Sequence, residues 1–140
     1  MKKYVVDASV ILKWVLGDEK EEDQSSAMKL LYAWGEGRCE LAAPSLWIYE
    51  TGNILALLLN EDAQEKMELL MGLGIQNADC LPTMSNMIFS WMREKKVTFY
   101  DAAYLAAAHN LNAVLVTADQ SFARKMGDVH GLCLLQNLKP

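Results

Sequence analysis

Short apolar runs alternate with longer amphipathic segments along this chain. Residues 4–6 form an apolar run of the kind that becomes a buried strand, and residues 10–16 have the spacing of an amphipathic helix. The same patterns predict further strands at residues 40–43, 79–81, 113–117 and 132–135. They predict further helices at residues 26–34, 45–59, 62–73, 85–95, 98–109 and 120–126, with Ser45 and Thr98 as N-caps.

This alternation predicts the fold class. Parallel strands that are neighbours in a sheet need long crossover connections, and these are usually helices. We therefore expect a three-layer α/β/α fold, in which a central parallel sheet is covered by helices on both faces. The chain has 140 residues without an internal repeat or linker, so we expect residues 1–140 to form a single domain.

Composition places the chain among globular proteins, because 52% of its residues are apolar. Apolar runs such as residues 54–59 are too short to cross a bilayer, and the N-terminus lacks a secretory pattern. We therefore expect a cytoplasmic protein without a membrane partner. Its three cysteines are widely spaced and include no CxxC pair, which predicts neither disulfides nor a zinc site.

Four acidic residues are predicted to lie at one edge of the sheet. Asp7 directly follows the first strand, and Asp119 follows the strand at residues 113–117 after one alanine. Asp101 and Glu50 lie in the first or second turn of the helices that begin near Thr98 and Ser45. In a parallel α/β sheet the strands end and the following helices begin at the same edge, where ligands bind.

Capping explains three of these acids on its own, since carboxylates are favoured at helix starts. Glu50 lies too deep in its helix to be a cap, and that helix is apolar nearly all round. No lysine or arginine occurs between Cys39 and Glu65, so a local ion pair is excluded. Because carboxylates are seldom buried without a partner charge, a cation shared with the other three acids can be the missing partner.

Hydroxyl and amide side chains accompany the acids. Ser9 follows Asp7 and Thr117 precedes Asp119, in mirrored order across one alanine each. Ser9 and Thr117 can orient bound water, or can be an ordinary cap and an ordinary strand residue. Asn53, one turn after Glu50, can hold that carboxylate or a water, or can be a surface residue.

The net charge of −5 at first argues against a nucleic-acid partner. However, the four candidate site acids account for most of the surplus, and five further acids lie in residues 18–23, where we expect a solvated loop or helix start. The basic residues that remain available for RNA have the scattered distribution of plain surface: Lys13, Arg93, Lys95, Lys96, Arg124 and Lys125.

Four segments together resemble a known family: residues 5–14, residues 44–50 with Asn53, residues 98–106 and residues 115–119. In this order and spacing they closely resemble PIN domains of the VapC toxin type. The resemblance implies that the acidic quartet is Asp7, Glu50, Asp101 and Asp119, surrounded by Ser9, Asn53 and Thr117. It also implies a homodimer, and a small antitoxin partner whose C-terminal segment covers the active site.

Oxygen-only ligands suit a hard cation, Mg²⁺ or Mn²⁺, as one or two ions. We expect Asp7 and Asp119 to be the principal ligands, with Glu50 and Asp101 binding directly or through water. The expected function is that of a metal-dependent endoribonuclease, the toxin of a type II toxin–antitoxin pair. Metal-activated water would hydrolyse RNA phosphodiesters and leave 5'-phosphate and 3'-hydroxyl ends.

Two alternatives stay open. A receiver-type phosphoacceptor also uses an acidic pocket on an α/β sheet, but it needs adjacent acids after the first strand and a lysine after a late strand. Here Asp7 stands alone, and the first lysine after Thr117 is Lys125. The other alternative is a non-catalytic PIN-like module that binds RNA or protein through apolar surface around Trp14, Trp34 and Trp47.

Overall fold

A computed structural model of the chain describes residues 1–17 and 22–140, so most of the acidic stretch at residues 18–23 lies outside the described residues. The sheet has five strands: β1 (Lys2–Val6), β2 (Cys39–Ala43), β3 (Gln76–Asn77), β4 (Val114–Thr117) and β5 (Leu132–Leu134). Every neighbouring pair is parallel, and the strand order is β3-β2-β1-β4-β5. The predicted parallel sheet is confirmed.

Seven helices connect these strands in the described part of the chain: α1 (Ala8–Lys13), α2 (Glu22–Gly35), α3 (Leu46–Leu59), α4 (Ala63–Met71), α5 (Ser85–Lys95), α6 (Phe99–Asn110) and α7 (Gln120–Met126). Right-handed crossovers put α1 to α4 on one face of the sheet and α5 to α7 on the other. The packing agrees, because α3 contacts α1 and α4, while α5 contacts α6 and α7. In the portion of the chain described, no helix combines the length and the apolar character needed to span a bilayer.

Some predicted boundaries were wrong. The third strand is Gln76–Asn77, not residues 79–81, because a two-residue edge strand is too short to show an apolar alternation. The first helix ends at Lys13 and continues only as a turn, and α2 begins earlier than predicted because its first residues are polar. Ser45 stands at the start of α3, but its side chain makes no capping hydrogen bond.

The strand order fixes where a ligand site belongs. From β1 the chain moves to β2 and β3 on one side, whereas β4 and β5 lie on the other side. The crevice at the carboxyl ends of β1 and β4 is therefore the topological switch point, at which open α/β sheets bind ligands. Both strands are fully buried near that end, at Val5, Val6, Leu115 and Val116. Alanines such as Ala102 and Ala106 are buried on α6, which packs on both strands.

Candidate active site

Asp7 lies directly after β1 and is the N-cap of α1. Its Oδ1 atom accepts hydrogen bonds from the backbone N–H groups of Ser9 (3.1 Å) and Val10 (3.4 Å), and from the Ser9 hydroxyl (2.5 Å). Its Oδ2 atom accepts a hydrogen bond from the Thr117 hydroxyl (2.5 Å). Four donors from two neighbouring strand ends therefore fix the orientation of this carboxylate.

The mirrored Asp-Ala-Ser and Thr-Ala-Asp segments interlock at the switch point. The Ser9 hydroxyl oxygen accepts the backbone N–H of Ala118 at 2.9 Å, and the Thr117 hydroxyl oxygen accepts that of Asp119 at 3.1 Å. Each hydroxyl thus accepts from the backbone after β4 while it donates to Asp7. The structure brings Ser9 and Thr117 together as groups that orient Asp7, and their orienting of bound water stays a prediction.

Glu50 reaches the same edge from α3, half-buried, and its Oε1 atom accepts a hydrogen bond from the Tyr104 hydroxyl at 2.6 Å. Tyr104 was not singled out from the sequence. It lies three residues after Asp101, so both share one face of α6, and that spacing is the signal that could have found it. Asn53 lies one turn after Glu50 with an exposed side chain.

Asp101 and Asp119 occupy the starts of α6 and α7. Thr98 caps α6 as predicted, because its hydroxyl accepts the backbone N–H of Asp101 at 3.1 Å. Asp119 is the N-cap of α7, and its Oδ1 atom accepts the N–H of Phe122 at 3.0 Å. The capping role that the sequence left open for Asp119 is therefore present, in addition to its place at the switch point.

The four carboxylates are coupled electrostatically. Burial raises the pKa of Asp7 to about 6, although the Ser9 and Thr117 hydroxyls oppose this rise; the charge of Asp101 adds to it. Burial also raises the pKa of Glu50, with a further contribution from Asp101. The pKa of Asp101 is raised by burial and by the charge of Asp119, and lowered by Thr98 and Lys125. Asp101 thus interacts with all three other acids.

The donor chemistry of this cluster fits a hard divalent cation, since it offers carboxylate oxygens whose negative charges repel one another. As the side chains stand, no three His, Cys, Asp or Glu residues in the described ranges form a group that can hold a metal ion. Glu50 is turned to the Tyr104 hydroxyl and Asp119 to the N–H of Phe122. To share an ion with Asp7, Glu50 has to bind through its other oxygen, Oε2, or through water, and Asp119 has to turn or to bind through water.

Comparisons with known proteins identify the family and the fold. The family model described as PIN domain matches residues 4–127, and no curated protein matches the sequence. Solved structures superpose over nearly the whole chain. The structure of PAE2754 from Pyrobaculum aerophilum has 25% identity and a TM-score of 0.66, covering 96% of this chain and 92% of that one.

Two further structures share the fold at lower sequence identity. A toxin–antitoxin complex from Klebsiella pneumoniae has 16% identity and a TM-score of 0.70, covering 94% of this chain and 97% of that one. VapBC2 from Rickettsia felis, bound to a DNA fragment from its promoter, has 14% identity and a TM-score of 0.66, covering 94% and 96%. At such identities the similarity to these two is one of fold.

Proposed function

The chain belongs to the PIN domain family, and on that premise we propose that it is a metal-dependent endoribonuclease. The observation that carries the proposal is the placement of four acids near the ends of β1 and β4. Asp7 and Asp119 follow these two strands, Asp101 lies in the first turn of α6, and Glu50 accepts a hydrogen bond from the same helix. Like charges gathered at one edge repel one another, and a shared cation offsets that repulsion. PIN domains are nucleases as a family, and the metal dependence and the RNA substrate are the further steps that we propose.

Each acid has a distinct role in this proposal. Asp7 and Asp119 are the principal ligands of Mg²⁺ or Mn²⁺, and Glu50 and Asp101 complete the site directly or through water. When bound, such an ion activates a water molecule and offsets the charge of the scissile phosphate. Asp7 is suited to its role because four hydrogen bonds already fix its direction.

The chain itself accepts the proton of the attacking water and helps to bind the phosphate. Burial raises the pKa of Asp101 and Glu50, and a carboxylate with a raised pKa is a better acceptor for the proton of the attacking water. The N-terminus of α6, where Asp101 lies, presents the positive end of a helix dipole to the phosphate. Because water attacks, the 2'-hydroxyl of RNA is not needed, and we expect 5'-phosphate and 3'-hydroxyl ends.

Cleavage of RNA in the presence of Mn²⁺ tests the proposal. We expect Asp7→Asn and Asp101→Asn each to lower kcat by about 100-fold or more, because each removes a charge from the ion site. Asp128→Asn is the matched control, since Asp128 is an exposed acid outside the cluster, and it should cleave like the wild type. Equal cleavage by all four proteins, or cleavage that persists in EDTA, would contradict the proposal.

We further propose that the nuclease is the toxin of a toxin–antitoxin pair and forms a homodimer. One of the solved structures that share the fold is described as a toxin–antitoxin complex, and another is of VapBC2 bound to promoter DNA. On α3, Tyr49 and Leu57 are exposed by 75% and 78% and lie on one face, two turns apart. Apolar side chains exposed in this way favour a protein partner. A chain that sediments as a monomer over a wide concentration range would contradict the dimer, and a neighbouring gene for a small DNA-binding protein would support the antitoxin.

The two alternatives receive less support. Trp47 is buried, and the rings of Trp14 and Trp34 stack with their centroids 6.4 Å apart. The Trp14 indole N–H also donates to the carbonyl oxygen of Ala27 at 3.0 Å, so these tryptophans serve the fold rather than an exposed binding surface. Membership of the PIN family counts against a receiver-type phosphoacceptor, and the Asp7→Asn comparison separates an enzyme from a non-catalytic module.

A further inference from the structure

Tyr104 joins the two helical layers at the active-site edge of the sheet. It belongs to α6 on one face, and its hydroxyl donates to Glu50 Oε1 on α3, which covers the other face. The hydrogen bond therefore passes over the carboxyl ends of the strands. Its length of 2.6 Å is that of a strong bond to a charged acceptor.

The surroundings of Tyr104 make it a permanent donor. Its side chain is only 2% exposed, and a buried phenol requires a hydrogen-bond partner. The Tyr104 hydroxyl meets this requirement by donating to Glu50 Oε1. The acceptor is therefore one of the four acids of the proposed metal site.

A purely structural explanation is that Glu50 merely satisfies a buried phenol. The bond, however, leaves the second carboxylate oxygen of Glu50, Oε2, without a hydrogen bond from Tyr104. When a buried donor fixes one oxygen of a carboxylate, the other oxygen is available to bind a ligand, and metal-binding carboxylates are commonly held in this way. Any buried acceptor could satisfy the phenol, whereas the observed acceptor is one of the four acids.

We propose that Tyr104 is a positioning residue, whose hydroxyl holds Glu50 by Oε1 so that Oε2 serves the divalent cation. The inference rests on the proposed function, because it names the group that prepares one of its ligands. Tyr104 itself does not contact the ion or the RNA in this proposal. Its effect is on the affinity for the cation, and through that affinity on cleavage.

Tyr104→Phe tests the role, because phenylalanine keeps the ring in the core and removes only the hydroxyl. Tyr100→Phe is the matched control on the same helix, where the side chain is 60% exposed. Two readouts are needed: the Mn²⁺ concentration that gives half of the thermal stabilisation of metal-free protein, and kcat and KM for RNA as a function of Mn²⁺. The first does not depend on activity.

We expect Tyr104→Phe to raise both Mn²⁺ midpoints by about 10-fold, the factor that corresponds to one hydrogen bond to a charged group. Saturating Mn²⁺ should restore most of kcat, and the KM for RNA should not change. Tyr100→Phe should match the wild type in every measurement. In a Glu50→Gln background, Tyr104→Phe should have no further effect on the Mn²⁺ midpoint, because the carboxylate that it positions is gone.

The outcomes separate the two proposals. If wild-type protein binds Mn²⁺ and cleaves RNA but Tyr104→Phe leaves both midpoints unchanged, the inference is overturned and the proposed function stands. A lower melting temperature without Mn²⁺ and an unchanged midpoint would likewise assign Tyr104 a structural role only. If wild-type protein neither binds Mn²⁺ nor cleaves RNA, the proposed function fails, and the positioning role fails with it.

Discussion

Two opposing effects act on the ionisation of the Asp7 carboxyl group, and its pKa shows which of them is larger. Hydrogen bonds from Ser9, Thr117 and Val10 favour the charged carboxylate, whereas burial favours the protonated form. The pKa is raised to about 6 from an ordinary value of 3.8, so burial is the larger effect. At neutral pH the metal-free protein therefore carries an ionised group in a place that disfavours its charge.

This balance predicts how stability depends on pH. At pH values below the ordinary pKa of 3.8, both the folded and the unfolded chain hold the Asp7 proton, so this group does not change the free energy of unfolding. As the pH rises towards about 6, the unfolded chain releases this proton first, and the folded state loses stability until its own carboxyl ionises. Asp7→Asn removes this loss. In EDTA we expect the variant to melt about 3 °C higher than the wild type near neutral pH, with the gap shrinking on acidification.

Thermal melts between about pH 5 and about pH 8 measure this gap. Asp128→Asn provides the control for loss of one exposed carboxylate. Parallel curves for Asp7→Asn and the wild type would contradict the raised pKa. Added Mn²⁺ should reverse the order, because the ion stabilises only the protein that keeps the carboxylate.

The role of a single residue could be predicted where chain order alone determines its position. Asp7 follows its strand directly and Asp119 follows its strand after one alanine, and chain order alone puts such residues at the carboxyl edge. Tyr104 was missed although its spacing from Asp101 was a signal, because an aromatic residue at helical spacing is usually core. Asn53 illustrates the converse: its spacing matches Glu50, yet the bond to Glu50 comes from another helix. Side-chain partners across layers depend on packing that chain order does not encode.

The helix α3, which carries Glu50, obtains its N-terminal cap from a distant part of the chain. The backbone N–H of Ser45 donates to Asp79 Oδ1 at 2.7 Å, and the other oxygen of Asp79 accepts from the Asn77 amide at 3.1 Å. Ser45 has helical backbone angles, and its own side chain makes no capping bond. The strong elements β1, β4 and α6 were predictable from their patterns, whereas this cap was not, because Asp79 follows β3 and precedes no helix directly.

This geometry predicts unequal effects for two substitutions at one helix start. Asp79→Ala should lower the free energy of unfolding by about 1 kcal/mol, the usual value of an N-cap side chain. Ser45→Ala should lower it by less, because the backbone N–H that Asp79 accepts remains and the Ser45 side chain makes no capping bond within α3. Urea unfolding of both variants beside the wild type measures the difference. A larger loss for Ser45→Ala than for Asp79→Ala would contradict the distant cap.

The basic residues of the molecule are unevenly distributed over its surface, although the net charge is −5. Lys3, Lys13 and Arg38 form ion pairs with nearby acids, at 3.6, 3.0 and 2.9 Å. Five other cations lie near the ends of α5 and α7: Arg93, Lys95, Lys96, Arg124 and Lys125. Within residues 1–17 and 22–140 no ion pair of these five is present. The charge of Lys125 reaches Asp101, and Lys96 lies just before Thr98 at the start of α6, so part of this set borders the acidic cluster.

If RNA is the substrate, cations at this edge should contribute more than cations elsewhere. We expect the pair of substitutions Lys95→Gln and Lys96→Gln to raise the KM for RNA by about 3- to 10-fold at low salt and to reduce the slope of log KM against log salt by about 1. The control pair, Lys2→Gln and Lys139→Gln, removes the same charge from the opposite edge, where both lysines line one shallow cavity at the start of β1. Because net charge changes equally, equal effects of the two pairs would mean that overall charge, and not the edge beside the carboxylates, governs RNA binding.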